Sequence, residues 1–175
     1  YNPASAYRSA VDIEADVEAA RRRLADALMA VPEEIIYTSG GTESNNIACT
    51  GVLRHRPRPA HIVCSAVEHP SVYQVVMEHK RFGQPASLVG TDTEGRVNLN
   101  QLQAALRPDT AYVSVMHVNN ELGAVNDIVQ IGRVIKRMSP NAVFHVDGVQ
   151  AFAKLPFERP PCDLYSVSGH KFNAP

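Results

Sequence analysis

Short apolar segments alternate with longer amphipathic segments along most of this 175-residue chain, and this alternation strongly constrains its fold. Several of the short segments are apolar at consecutive positions, as expected for strands that are covered on both faces of a sheet. Strands that alternate with helices favour a parallel sheet, because each helix returns the chain to the edge where the strand began. The sequence therefore predicts an α/β fold of three layers, with a doubly wound, mostly parallel sheet between two layers of helices.

Hydrophobic periodicity and turn residues predict the individual elements. The predicted strands are Glu34–Thr38, His61–Ser65, Ala86–Val89, Ala111–Met116, Ala142–Val146 and Asp163–Val167. The predicted helices are 13–28, Glu43–Arg54, Ser71–Phe82, Leu99–Leu106 and Ile128–Met138. The sequence shows no internal repeat and no obvious linker, so we expect one domain.

Composition narrows the classes of function. The net charge is -1 and 45% of the residues are apolar, which indicates neither a nucleic-acid partner nor a membrane surface. The apolar runs are too short to span a bilayer, and no signal peptide is expected. The three cysteines are widely spaced without a CxxC pair, which argues against a disulfide framework or a zinc cluster. These features fit a reducing compartment, and we expect a cytoplasmic protein.

Polar side chains follow five of the predicted strands at the point where each strand ends. Ligands of open α/β sheets bind beyond the carboxyl ends of the strands. The polar clusters are Ser39-Gly-Gly-Thr-Glu-Ser-Asn45, Glu68-His69, His117-Val-Asn-Asn-Glu121, Asp147-Gly-Val-Gln150 and Ser168-Gly-His-Lys171. Because parallel strands end at the same edge, we expect these clusters to form one site, and their repetition favours an enzyme over a scaffold.

Gly40, Gly41 and Thr42 precede a predicted helix, which suits a phosphate because free backbone N–H groups and the helix dipole favour an anion. The alternative is a simple turn in which Thr42 caps the helix. The segment lacks the GK[ST] ending of a Walker loop and the GxGxxG pattern, so a single phosphate is favoured over a nucleotide.

Asp147 follows a predicted buried strand and could neutralise the protonated ring nitrogen of a pyridinium cofactor, or could cap a short helix that follows. His69 could stack on an aromatic ring or shuttle a proton, or could be an ordinary hydrogen-bonded histidine. Asn120 and Gln150 carry amides that could contact a phenolic oxygen. His145 and Asp147 share one strand face, but no third ligand follows at a suitable spacing, so no metal site is predicted.

Lys171 follows the last predicted strand on a tight turn with Gly169 and His170. A lysine that is desolvated by burial has a lowered pKa and can become an amine nucleophile, which is the property needed to hold an aldehyde cofactor. A lysine near glycine and proline is usually a solvated surface side chain, and Lys171 taken alone favours that interpretation. The polar clusters at the other strand ends favour the first interpretation.

Taken together, five motifs resemble the cysteine desulfurases, which are pyridoxal phosphate (PLP) enzymes of the class V aminotransferase group. The motifs are Thr38-Ser-Gly-Gly-Thr-Glu-Ser-Asn45, Glu68-His69, Met116-His-Val-Asn-Asn-Glu-Leu-Gly123, His145-Val-Asp-Gly-Val-Gln150 and Ser166-Val-Ser-Gly-His-Lys171. They follow the family's order through nearly the whole chain, beginning at Asn2-Pro-Ala-Ser5. The His-Val-Asn-Asn-Glu motif is the one most typical of the desulfurase branch.

The resemblance implies a role for each matching residue. Lys171 would form the Schiff base with PLP and move the substrate Cα proton, and Asp147 would pair with the pyridine nitrogen. His69 would stack on the ring, with Gln150 and Asn120 near the ring oxygen and the substrate. The residues that would hold the phosphate are Gly41, Thr42, Ser168 and His170.

The resemblance also implies the reaction and its partners. The family converts L-cysteine to L-alanine and passes the sulfur to an enzyme cysteine as a persulfide. A scaffold or sulfur-carrier protein then accepts the sulfur for iron–sulfur cluster or tRNA pathways. Family members are homodimers that share the phosphate site between subunits. A selenocysteine lyase, another class V enzyme and a catalytically silent scaffold of the same fold remain alternatives.

Residues 1–175 would form the PLP-binding large domain as a fragment, without the family's first segment and C-terminal small domain. The family's nucleophilic cysteine has no counterpart, because Cys49, Cys64 and Cys162 do not match its motif. The usual Gly-Pro after the lysine motif is replaced by Ala174-Pro175.

Overall fold

A computed structural model of the chain describes residues 8–56 and 59–174. The chain divides into two compact units. One unit holds the described residues up to Tyr37 together with Phe157–Arg159, and the other holds the rest. Within the described residues, no helix combines the length and the apolar character needed to cross a membrane.

The smaller unit is built on helix α1, Arg8–Leu28, followed by the short 3₁₀ helix Pro32–Glu34. The predicted strand Glu34–Thr38 is wrong. Pro32 opens a 3₁₀ turn, and the Glu34 carboxylate accepts a hydrogen bond from the Val31 N–H at 3.0 Å. The residues that follow belong to no strand of the described chain, and Ile36 is 72% exposed. Although this segment is rich in apolar, β-branched residues, it is exposed and unpaired with any strand of the described chain.

The larger unit alternates helices and strands as predicted, with bounds that agree to within one or two residues. Its helices are α2 (Gly41–Arg54), α3 (Pro70–Arg81), α4 (Leu99–Ala105) and α5 (Ile128–Met138). Its strands are β1 (His61–Ser65), β2 (Ala86–Val89), β3 (Thr110–Met116), β4 (Val143–Asp147) and β5 (Leu164–Ser166). A second 3₁₀ helix, Gly169–Phe172, follows β5.

The five strands form one sheet in the order β2-β1-β3-β4-β5, and every neighbouring pair is parallel. The chain runs outward from β1 to β2 and then crosses to the other side, which is the doubly wound arrangement. Met116 is paired with Asp147, and Asp147 is paired with Ser166. This register places the last residues of three adjacent strands at one level along the carboxyl edge.

Alternate strand side chains enter two hydrophobic clusters, one on each face of the sheet. One cluster joins α4 and α5 to strand residues that include Val63 and Val113. The other joins α2 and α3 to strand residues that include Ile62 and Tyr112. Cys64 belongs to the second cluster and is fully buried, as predicted. Helices therefore cover both faces, and the predicted three-layer architecture is confirmed.

Candidate functional site

A cavity of about 300 Å³ lies where the strand ends meet. All nine residues predicted for the site line it, namely Gly41, Thr42, His69, Asn120, Asp147, Gln150, Ser168, His170 and Lys171. Asn45, Ser71, Met116 and Val149 complete the lining. The prediction that the five polar clusters meet at one place is confirmed, although the first cluster follows an extended segment and not a strand. The chemical roles of the nine residues stay predictions.

The first turn of α2 forms one wall of the cavity. The helix begins at Gly41 with the preceding glycine as N-cap, so the alternative in which Thr42 caps the helix is wrong. A Cβ added to Gly41 would lie 3.0 Å from Val149 Cγ2 and 3.6 Å from Ser168 Cβ, so glycine permits this close approach. Ser168 Oγ lies 3.0 Å from His170 Nδ1 on the facing turn. Free helix N–H groups beside hydroxyl and imidazole groups form a suitable site for an anion.

Asp147 ends β4 and is only 2% exposed. Its Oδ2 accepts a hydrogen bond from Asn45 Nδ2 at 2.8 Å, and its Oδ1 accepts one from the Val149 N–H at 3.1 Å. Burial raises the pKa of this carboxyl group, while the two hydrogen bonds and His69 act to lower it. The bond to Val149 caps a turn, whereas the short helix that the alternative interpretation expects is not formed, because residues 149–154 are turns. The carboxylate therefore caps this turn and lines the cavity at once.

His69 occupies the N-cap position of α3. Its Nδ1 accepts a hydrogen bond from the Ser71 N–H at 3.1 Å and lies 2.7 Å from Ser71 Oγ. Ser71 Oγ in turn accepts a hydrogen bond from Asn45 Nδ2 at 2.9 Å. The cap explains why a polar side chain with a ring acceptor stands before Pro70, which begins the helix. The same hydrogen bond orients the His69 ring so that Nδ1 faces the start of α3.

Sequence reasoning gave no role to Asn45 or Ser71. One signal was present in the sequence: Asn45 precedes Cys49 and Leu53 at four-residue spacing, and these three residues are the buried stripe of α2. A polar residue on a buried stripe requires partners, because an unpaired buried amide is costly. The partners lie 26 and 102 positions away in the chain, so local patterns could not identify them.

Lys171 lies on the 3₁₀ helix Gly169–Phe172 and is exposed. The expectation that burial at a strand end desolvates this lysine is wrong for the described chain, because β5 ends at Ser166 and the turn carries Lys171 beyond the sheet. The turn itself is well anchored. The Phe172 ring packs edge-on against Phe152 with centroids 5.2 Å apart, and the Lys171 N–H donates to the Ser168 carbonyl at 3.0 Å.

The two predicted amides are held in different ways. Gln150 Oε1 accepts a hydrogen bond from Lys154 Nζ at 2.7 Å, which leaves its amide nitrogen for a ligand. Asn120 is exposed, whereas the preceding Asn119 is buried. Asn119 Oδ1 accepts from two N–H groups of the loop, and its Nδ2 donates to the Val67 carbonyl at 3.1 Å. Asn119 thus ties the loop that carries Asn120 to the loop that leads to His69.

A row of buried polar side chains crosses the sheet beneath the cavity. Glu68 Oε1 accepts hydrogen bonds from Ser65 Oγ at 2.5 Å and from the Met116 N–H at 2.7 Å. Ser114 Oγ lies 3.4 Å from Glu68 Oε2 and 2.9 Å from His145 Nδ1. Burial raises the pKa of Glu68 to about 7 and lowers that of His145 to about 3. Both groups are therefore less readily charged here than in water.

Gly148 permits the close approach of Tyr165 to the turn after Asp147. An added Cβ at Gly148 would overlap the Tyr165 ring. The Tyr165 hydroxyl lies 3.0 Å from His117 Nδ1, and the two rings meet edge to face with centroids 6.2 Å apart. This packing holds the turn after Asp147 against β5.

Two of the three cysteines, Cys49 and Cys64, are buried. Burial raises the pKa of the Cys49 thiol to about 12, and burial also raises that of Cys64. A thiol in such surroundings is a poor nucleophile. Within residues 8–56 and 59–174, no group of three or more His, Cys, Asp or Glu side chains is placed to hold a metal ion.

Comparison with known proteins places this fold in a family. The family model described as aminotransferase class-V matches residues 2–175. A protein named cysteine desulfurase IscS from Photorhabdus laumondii is 40% identical over 178 residues, which is 99% of this chain and 44% of the relative. The chain thus spans less than half the length of this curated relative.

Two solved structures superpose on the fold. A NifS-like protein has a TM-score of 0.94 with 31% identity, over 100% of this chain and 49% of its own. A structure described as SspA in complex with cysteine has a TM-score of 0.91 with 33% identity, over 98% of this chain and 50% of its own. The match of the family model to nearly every residue leads to one conclusion: the chain belongs to the aminotransferase class-V family.

Proposed function

We propose that this chain forms the cofactor-binding part of a PLP-dependent cysteine desulfurase. The observation that carries the proposal is Asp147, a buried carboxylate held by two hydrogen bonds in a cavity that Lys171 also lines. A buried carboxylate is stabilised by a cation beside it, and a protonated pyridine nitrogen is such a partner. The relatives named as cysteine desulfurases and the SspA structure with cysteine support the choice of reaction.

The residues around the cavity fit PLP at each of its polar ends. The first turn of α2, with Thr42, and the facing Ser168 and His170 would hold the phosphate, because a Cβ at Gly41 would fill the space beside them. Asp147 would hold the ring nitrogen. The amide nitrogen of Gln150 would face the phenolic oxygen, since its Oε1 is already occupied by Lys154. The donors and the acceptor are therefore of the correct kind for the phosphate, the ring oxygen and the ring nitrogen.

PLP, when bound, supplies an electron sink that stabilises negative charge at the substrate Cα. Lys171 Nζ would anchor the cofactor and then hold and return the Cα proton. Asp147 would keep the ring nitrogen protonated, and the hydrogen bonds from Asn45 and Val149 favour its ionised form. His69 and Asn120 would position the ring and the substrate. In the described residues, His69 Nε2 has no hydrogen-bond partner and is available to a ligand.

The substrate would be L-cysteine and the products L-alanine and a persulfide on an enzyme cysteine. Cys49 and Cys64 are fully buried, and the partly exposed Cys162 does not match the motif of the family's nucleophile, so we propose that the nucleophilic cysteine lies outside residues 1–175. A scaffold or carrier protein would accept the sulfur in the cytoplasm. Residues 1–175 would form one PLP-binding large domain of a homodimer, with no nucleic-acid or membrane partner.

The test uses the full-length protein incubated with PLP and then reduced with borohydride. Peptide mapping should place the pyridoxyl group on Lys171, and Lys171→Arg should abolish the label while the neighbouring Lys154→Arg retains it. Label on another residue, or no label, would overturn the cofactor assignment.

The reaction is tested separately with L-cysteine and a reductant. A desulfurase yields alanine and sulfide in equal amounts and loses both with Lys171→Arg. Pyruvate in place of alanine would show a C–S lyase. Turnover of selenocysteine alone would show a selenocysteine lyase, and labelled but inactive protein would show a silent scaffold.

A further inference from the structure

Four side chains form a continuous chain of hydrogen bonds along one wall of the cavity. Asn45 Nδ2 donates to Asp147 Oδ2 at 2.8 Å and to Ser71 Oγ at 2.9 Å. Ser71 Oγ lies 2.7 Å from His69 Nδ1. The chain therefore joins the carboxylate proposed for the ring nitrogen to the histidine proposed for the ring, through two residues without an assigned role.

The orientation of the Asn45 amide follows from its partners. An ionised carboxylate only accepts hydrogen bonds, so the amide must turn its NH₂ group toward Asp147. Its Oδ1 is then left buried without a partner in the described chain. A buried unpaired oxygen destabilises the fold, and Asn45 is only 1% exposed. The unpaired Oδ1 of Asn45 lowers the stability of the fold, and in this same orientation Nδ2 donates two hydrogen bonds.

The orientation of Ser71 follows in turn. Its Oγ accepts from Asn45, so its own hydrogen is free to point to His69 Nδ1. The Ser71 N–H donates to the same nitrogen at 3.1 Å. With two donors directed at Nδ1, the neutral His69 ring carries its proton on Nε2. The Asn45 amide therefore orients the Asp147 carboxylate directly and sets the His69 tautomer through Ser71.

From this arrangement we infer that Asn45 and Ser71 are positioning residues for the proposed reaction, with Asn45 orienting the Asp147 carboxylate and Ser71 holding His69 with its proton on Nε2. The inference rests on the proposed function. Neither residue need touch the substrate, because each acts through a neighbour that lines the same cavity. Removing the Asn45 amide should make the ionised form of Asp147 less stable relative to the protonated form. The reason is that a hydrogen bond to a charged group is among the stronger ones.

The other titratable groups around Asp147 matter for a test that varies pH. They are Glu68 on the β1–α3 loop, His69 at the start of α3, Tyr165 on β5, and His170 and Lys171 on the last turn. All of these groups are unchanged in variants of Asn45. A difference in pH dependence between such a variant and the wild type therefore arises from loss of the Asn45 amide.

The first measurement is the dissociation constant of PLP as a function of pH, for the full-length wild type and for Asn45→Leu. We expect the constant of the variant to rise by at least about ten-fold at pH 7. We also expect the low-pH loss of affinity to begin at a higher pH, because Asp147 is protonated more readily. The matched control is Asn46→Leu, the next residue on α2, whose Nδ2 donates only to backbone carbonyls. Its pH profile should follow the wild type.

The second measurement does not use the cofactor. A double-mutant cycle of Asn45→Leu and Asp147→Asn, by urea unfolding of the cofactor-free protein at pH 8, should give non-additive changes in the unfolding equilibrium constant by about ten-fold. Ser71→Ala and Asn45→Leu should likewise combine non-additively in PLP affinity. If Asn45→Leu does not fold, Asn45→Ser takes its place, because serine is small and cannot reach both partners.

The outcomes separate the two proposals. A wild type that does not bind PLP overturns the proposed function, and the cofactor-free cycle still decides the coupling of Asn45 to Asp147. A uniform loss of affinity at every pH, or additive changes in the cycle, would show that Asn45 is only a structural residue and would overturn the inference.

Discussion

Glu68 offers a direct test of how the buried polar row beneath the cavity is charged. Its carboxyl group is fully enclosed, and it accepts hydrogen bonds from Ser65, from the Met116 N–H and from Ser114. The change we consider is Glu68→Gln. The glutamine amide can accept from Ser65 and Met116 and donate to Ser114, so it matches the protonated carboxyl group in shape and hydrogen bonding.

The magnitude follows from the pKa of Glu68. Burial, with a smaller contribution from Asp147, raises that pKa from 4.5 to about 7, although three hydrogen bonds act to lower it. The folded protein therefore binds this proton more tightly than the unfolded chain. The resulting stability is fully present below pH 4.5 and is lost as the pH rises through 7. At ~1.4 kcal/mol per pH unit, the loss amounts to about 3 kcal/mol.

The assay is urea unfolding of the full-length, cofactor-free protein by circular dichroism between pH 4.5 and pH 8. The free energy of unfolding of Glu68→Gln, relative to the wild type, should rise by about 3 kcal/mol across this range. Glu78→Gln replaces an exposed carboxylate on α3 and should show no such rise. A difference that stays flat with pH for Glu68→Gln would mean that Glu68 is ionised in the fold throughout, which would refute the reasoning.

Two further predictions concern the supports of the cavity. Gly148→Ala should lower the free energy of unfolding by about 2–3 kcal/mol, because its Cβ would overlap the Tyr165 ring. Gly51→Ala, in the last turn of α2 where an added Cβ meets no atom within 4 Å, should raise it by about 0.5–1 kcal/mol, and equal urea midpoints for the two variants would contradict this. Asn119→Ala should cost about 1–3 kcal/mol and speed proteolysis of its loop, because its amide makes three hydrogen bonds to the backbone and a fourth to the Met116 sulfur. Asn120→Ala should leave stability within about 0.5 kcal/mol of wild type, and a larger loss would show that the loop is held differently.

The elements of the larger unit could be predicted from sequence because their patterns are local. Strands β1 and β2 and helix α5 have the predicted bounds, since each is an uninterrupted apolar or amphipathic segment between turn residues. The predicted strand Glu34–Thr38 failed for the opposite reason. An apolar, β-branched segment becomes a strand only where a neighbour is available to pair with it, and sequence alone does not reveal the neighbour.

The site divides in the same way. Asp147 and His69 could be predicted because each follows a strand directly, and the topology brings strand ends together. Asn45 could not, because its importance depends on an acceptor far along the chain. The exposure of Lys171 agrees with the solvated alternative, and the expectation of burial failed because the turn after β5 extends beyond the sheet.

The strand order has a consequence for biosynthesis. Adjacent strands β1 and β3, and the segments that carry Asn45 and Asp147, are separated by long stretches of chain, and the turn with Lys171 is the last part of the cavity to be synthesised. A nascent chain that has emerged only as far as the start of α2 and His69 presents two parts of the cavity wall. The remaining walls are not yet present to enclose a ligand. Capture of the proposed cofactor should therefore follow emergence of the turn that carries Lys171 from the ribosome.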